Sequence, residues 1–161
     1  MGKKVWLDRL KLHPLLRALR IDKLTLAALE ATLKLYLDSE QAQQQIPVLQ
    51  MLSLSLADVE QRAQTVSDRL QQQAGGVATF SVEKDYAVAG GGALPLERIP
   101  TWVVAIAPLE MTPDTLDSKL RCGYLPVFAR IARDKLLLDL RTVLPDELND
   151  MADAVIEALL A

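Results

Sequence analysis

The chain has 161 residues, half of them apolar and about a quarter charged, with a formal net charge of −3 and a pI near 5.2. That length suits one domain with a real core and an appended arm, and the acidity argues against a free-standing nucleic-acid binder, which is basic overall. One cysteine, Cys122, excludes an internal disulfide and fits a reducing compartment; no apolar run approaches the ~18–20 residues of a membrane span; and MGKKVWLDRL has neither the apolar core of a signal peptide nor the Ser or Thr that myristoylation needs at Trp6, so cytoplasm is expected.

Residues 1–23 hold Lys3, Lys4, Arg9, Lys11, Arg17, Arg20 and Lys23 against only Asp8 and Asp22, a local net charge of +5 in an acidic chain. Such concentration points to a local anion site rather than to solubility. A short helix is expected over 3–11, stopped by Pro14. Asp22 is placed to cap a helix running to about Leu37, with Glu30 and Lys34 as an exposed pair four apart. Ten of the fifteen residues from Lys23 to Leu37 are apolar, too many for a single stripe, so this helix expects cover on several sides. Glutamine-rich 40–45 reads as a linker, and Pro47 as the first turn of another helix. Ser55 with Asp58 resembles a helix start, and Leu56, Val59, Ala63, Val66 and Leu70 form a core-facing stripe ending near Gly75-Gly76.

After Gly75 the period changes to two. Val77–Glu83, Tyr86–Ala89 and Thr101–Ala107 read as strands, Thr112 or Asp114 as the start of a short helix to Arg121, and Val127–Ile131 with Lys135–Arg141 as a hairpin around Arg133-Asp134. A last helix begins at Pro145-Asp146-Glu147 and buries Leu148, Met151, Val155 and Leu159. Helices followed by β-β-β-α-β-β-α indicate an α+β domain, an antiparallel sheet covered by helices. There is no internal repeat.

Arg17 and Arg20, three apart before a capped helix, would share one side of a helical turn and grip a phosphate or carboxylate in a fork; the plainer reading is a solvated basic face. His13 has no acidic, Cys or second His partner, so no metal site is expected. Gly90-Gly91-Gly92 lacks the strand–loop–helix context of a phosphate cradle and reads as a tight bend or a close backbone approach. Arg141 closes a strand whose Leu136, Leu138 and Leu140 share one face. It lies on the other face with Leu137 and Asp139, where it reaches an adjoining cleft or, more commonly, solvent; Arg130 is a weaker case of the same kind. Cys122 reads as inert, and no catalytic set assembles.

Four blocks carry a family resemblance: KLHPLLRALRIDKLTLAALEATLKLYLD, IPVLQMLSLSLADVEQRA, VAGGGALPLERIPTWVVAI and LPVFARIARDKLLLDLRTVLPDE. Together, in order and from about Lys3 to Leu160, they resemble bacterial selenocysteine synthase, the L-seryl-tRNA(Sec) selenium transferase. The resemblance implies the aspartate-aminotransferase-like (fold type I) architecture of pyridoxal-phosphate enzymes. Residues 1–21 would close the large domain, 22–45 would be the connecting helix and linker, and 46–161 the small C-terminal α+β domain. The cofactor lysine, the ring-stacking residues and the family's N-terminal tRNA-binding region would all precede Met1, and Lys23 is no substitute. The chain alone is therefore expected to be inactive and to bind no pyridoxal phosphate.

In the intact family, water is eliminated from seryl-tRNA(Sec) to an aminoacryl intermediate on the cofactor, and selenium from selenophosphate adds to it. By resemblance Arg17 and Arg20 hold the selenophosphate. Arg141 matches a small-domain arginine that meets a substrate carboxylate in this fold class, although here the amino acid is esterified and a place near the tRNA end is implied instead. Arg130, Gly91 and Gly92 would face the cleft. The implied partners are the remainder of the enzyme or full-length subunits, seryl-tRNA(Sec) and selenophosphate, with self-association and no membrane. Two other readings compete: a fragment of a related pyridoxal-phosphate lyase, and a non-catalytic docking or oligomerisation module.

Overall fold

The computed structural model describes residues 2–89 and 97–161, and the chain divides into two compact units, Met1–Gln50 and Met51–Ala161. The glycine block at 90–92, with Gly91 and Gly92, lies outside the described residues.

The first unit is helical, and its helices after the first each open on a local polar acceptor or on proline. Helix α1 (Lys4–Lys11) stacks Arg9 on Trp6, 5.4 Å from the ring centre. Helix α2 (Leu15–Ala18) starts where His13 Nδ1 accepts the Leu15 amide at 3.3 Å, which gives the histidine a structural task. Helix α3 (Lys23–Leu35) is capped by Asp22, whose Oδ1 takes the Thr25 amide at 2.9 Å and whose Oδ2 takes the Thr25 hydroxyl at 2.6 Å. These bonds hold the Asp22 carboxyl below the usual range, the Thr25 hydroxyl most of all. Glu30 and Lys34 pair at 2.8 Å. Residues 40–45 are not a linker: Asp38 caps the Glu40 and Gln41 amides and opens helix α4 (Ser39–Gln45). Pro47 begins helix α5 (Pro47–Ser53), at the one place where a missing amide costs nothing. None of α1, α2 and α3 has a buried residue; Leu24, Leu26, Leu29, Leu33 and Leu37 of the over-apolar stretch all stand exposed.

The second unit is a sheet with helices on one face. Ser55 caps the Asp58 amide at 3.1 Å and starts helix α6 (Leu56–Ala74). Strand β1 (Ala78–Ala87) is continuous where two strands were expected, and it pairs antiparallel with β2 (Ile99–Pro108) along its whole length. The expected break at Lys84-Asp85 is absent because β1 is an edge strand, where charged side chains are tolerated: Lys84 sits 5.1 Å over the Trp102 ring of its cross-strand partner. Thr112 caps helix α7 (Pro113–Cys122). Strands β3 (Arg130–Ala132) and β4 (Lys135–Asp139) form a hairpin whose turn residues, Arg133 and Asp134, both have φ of 56°. Val127–Ala129, expected inside that hairpin, precede it without regular structure. A 3-10 turn (Leu140–Thr142) leads on to helix α8 (Leu148–Leu160). The strand order is β1-β2-β4-β3, all antiparallel.

The two faces of this sheet differ in chemistry. Val104, Ile106, Leu136 and Leu138 meet Ala63, Val66 and Leu70 of α6, Leu116 and Leu120 of α7, and Met151, Val155 and Leu159 of α8 in one core. On the other face, Val103, Ala105 and Leu137 form a small buried cluster among the described residues, with Ala132 against it. Each fully buried leucine contributes about 1.5–3 kcal/mol, so the helix-covered face dominates the stability of this unit.

Candidate functional site

Two places gather the side chains that the sequence singles out. The first is the basic segment. Arg17 lies in α2, but that helix stops at Ala18 with Leu19 as its C-cap, so Arg20 falls beyond the helix end. The two arginines therefore do not share a helical face. Both are exposed, and among the described residues neither forms an ion pair, in contrast to Lys11 with Asp8 and Lys34 with Glu30. Two unspent guanidinium groups next to a capped helix provide up to ten N–H donors and two positive charges to an incoming oxyanion.

The second place is the end of the sheet. Tyr86 and Val88 at the end of β1, the strap Leu125–Arg130, Asp139, Thr142, and Glu147 and Asp150 at the start of α8 border a cleft of about 620 Å³. Val127 secures the strap by donating its amide to the Leu120 carbonyl at 3.0 Å, and Arg121 stacks 5.1 Å from the Phe128 ring centre. Arg130 does line this cleft, but its Nη2 is held 2.9 Å from Asp85 Oδ2 on β1. Asp85 is pushed up by desolvation, the largest single influence; the Tyr86 amide and Arg130 together outweigh it and leave the carboxyl below its ordinary value. Arg141 is buried rather than at the surface, and it is not among the residues that line the cleft.

Periodicity alone missed a charged lattice on the open face of the sheet. Glu83 accepts from Lys135 Nζ at 2.6 Å and from the Ser81 hydroxyl at 2.9 Å, with Arg133 at 3.4 Å. The signal was present in period two: Ser81, Glu83 and Asp85 alternate with Val82 and Lys84, and Lys135, Leu137 and Asp139 alternate with Leu136 and Leu138. Among the described residues, no group of three or more His, Cys, Asp or Glu is placed to hold a metal ion.

A Schiff-base cofactor needs a lysine inside a walled site with donors for its phosphate, and the eight lysines do not fit that demand. Lys3, Lys4, Lys11, Lys23 and Lys34 are exposed, Lys84 lies over Trp102, and Lys135 is paired with Glu83. Lys119 lines a second cleft of about 670 Å³, but shares it with Asp150, Asp153 and Glu157, which repel a phosphate. The cleft at the sheet end has no lysine. Among the described residues, no lysine therefore stands in a site of the kind pyridoxal phosphate needs. Among the described residues, no helix is long and apolar enough to cross a membrane.

Residues 1–144 match the family described as SelA, L-seryl-tRNA selenium transferase. The L-seryl-tRNA(Sec) selenium transferase of Alkaliphilus oremlandii is 42% identical over 164 residues, covering 99% of this chain and 34% of the relative. The protein of the same name in Clostridium botulinum strain Hall is 43% identical over 150 residues, 92% of this chain and 32% of its own length. That of Alkaliphilus metalliredigens is 41% identical over 143 residues, 89% and 30% respectively. The chain thus spans about a third of the length of these relatives.

Proposed function

Because the chain belongs to the L-seryl-tRNA selenium transferase family, we propose that it is the C-terminal third of an enzyme that converts seryl-tRNA(Sec) to selenocysteinyl-tRNA(Sec) with selenophosphate. The observation that carries this reading is near-complete coverage of the chain at 42% identity against a third of the relative's length. In this reading α6, α7, α8 and the sheet are the small domain of a fold-type-I pyridoxal-phosphate enzyme, and α3 is the connecting helix. The cofactor and its lysine belong to the rest of the enzyme, in keeping with lysines here that are exposed, ion-paired or set among carboxylates. Arg17 and Arg20 bind the phosphate group of selenophosphate; their support is their exposure and their lack of ion pairs.

The test is reconstitution. The chain is joined to the preceding two thirds of the Alkaliphilus oremlandii relative, and selenocysteinyl-tRNA(Sec) formation is measured beside the chain alone. Turnover by the joined protein and none by the chain alone is the expected result. A joined protein that folds and binds seryl-tRNA(Sec) yet makes no product would sink the proposal. A second reading, a docking or oligomerisation module, draws on the exposed leucines of α3; it requires that the chain bind full-length subunits without changing their turnover.

A further inference from the structure

We infer that Arg141 is a positioning residue that fastens the leading turn of the second unit to the strand ends beneath the cleft, and not a holder of a ligand carboxylate. Its side chain is 5% exposed. Nη1 donates to the carbonyls of Met51 at 3.0 Å and Leu54 at 2.9 Å, and Nη2 donates to the carbonyl of Pro100 at 2.9 Å. Met51 and Leu54 stand at the C-terminal end of α5 and just past it. There helix carbonyls lack intrahelical donors and carry the negative end of the dipole, so a guanidinium is the complementary group. Pro100 opens β2. Beside it Thr101, 1% exposed, donates its hydroxyl to Asp139 Oδ1 at 2.8 Å, and the same oxygen receives the Arg141 amide at 3.1 Å.

Three chain segments thus close on one buried polar cluster. Its outer members, Asp139 just before the 3-10 turn and Thr142 at its end, are walls of the cleft. Among the described residues no carboxylate pairs with the Arg141 guanidinium; backbone carbonyls take its charge. Three of its N–H groups are spent, and Nε is enclosed without a partner. Among the described residues the other N–H groups take no carbonyl, but Nε is enclosed and the residue is almost fully buried, so a ligand carboxylate could reach them only by opening the cluster. The cluster acts on the cleft through Asp139 and Thr142 rather than by contact with what the cleft holds. This inference stands apart from the catalytic reading, and its test needs no turnover.

The 15N-labelled full chain would be titrated with L-serine, a probe with a free carboxylate, while the Nε–H signal of Arg141, assigned by its disappearance in Arg141→Lys, is followed. No saturable shift is expected; a saturable shift would overturn the inference. Hydrogen exchange is then compared for wild type, Arg141→Lys and Arg141→Met. In both variants amides within 51–56 and 99–102 should exchange about tenfold faster, while core amides of α6 and α8 stay within about twofold, as for a local opening. Uniform acceleration across the second unit, or none, would also overturn it. Should Arg141→Met fail to fold, Arg141→Lys and the wild-type titration still decide.

Discussion

Glu83 on β1 and Lys135 on β4 meet at 2.6 Å although their strands are not neighbours, so the contact bridges across β2. Val103, Ala105 and Leu137 are sealed beneath this level of charge. The Lys135 hydrogen bond, then the Ser81 hydroxyl, holds the Glu83 carboxyl below its ordinary value. A carboxyl depressed in the folded state adds stability that is complete above its unfolded value and is lost as pH falls through the folded one. Glu83→Gln should therefore lower Tm by about 2–4 °C at pH 7, the equivalent of about 1 kcal/mol for a partly exposed pair. The gap between variant and wild type should close as the pH is taken below the ordinary carboxylate range. Thermal melts across that range check it, and a gap that is unchanged at low pH would show that the pair contributes nothing.

The helix-covered face should respond far more strongly. Leu70 of α6 is fully buried in the main core, and Leu70→Ala should cost about 2–5 kcal/mol. Urea unfolding of the second unit, read as a fall in midpoint with an unchanged slope, measures it.

The turn Arg133-Asp134 holds two non-glycine residues at φ of 56°, the conformation of a two-residue hairpin that favours glycine. Asp134→Gly should raise stability by about 0.5–1 kcal/mol. A lower Tm would show instead that the Asp134 side chain is used where it stands.

In the reconstituted enzyme, Arg17→Ala and Arg20→Ala should each raise KM for selenophosphate by about tenfold, the loss of one charge-assisted contact, with KM for seryl-tRNA(Sec) unchanged. Equal rises in both would assign the arginines to folding or to tRNA rather than to the selenium donor.

Leu26, Leu29 and Leu33 lie three and four apart on α3 and all stand exposed. The chain on its own should self-associate with rising concentration, and Leu29→Gln with Leu33→Gln should shift sedimentation velocity towards the monomer. A wild-type chain that stays monomeric throughout would remove self-association as a property of this face.

What the sequence made legible was what local chemistry decides. Asp22, Ser55 and Thr112 cap helices because an oxygen three residues before an amide finds it without help from the rest of the fold. Leu136, Leu138 and Leu140 were placed on one face by period alone, and all three are buried in the main core. The misses depend on distant partners. Lys84 and Asp85 read as a strand break until Trp102 and Arg130 come beside them. Arg141 read as a surface or cleft residue because its acceptors at Met51, Leu54 and Pro100 lie 90, 87 and 41 residues away. Residues 40–45 are a different error: glutamine content suggested a linker, while Asp38, a cap as plain as Asp22, was the signal that decided the matter.

The chain has two tryptophans, and they fall one to each unit. Trp6 stands largely in solvent beside Arg9, whereas Trp102 is half-buried against Lys84 with its indole nitrogen enclosed and unpaired. Their emission should therefore differ in colour and in access to quenchers, which gives the protein a built-in pair of optical reporters. Replacing either indole with phenylalanine leaves a signal from one unit alone, so the melting of each can be followed in the same tube without a label.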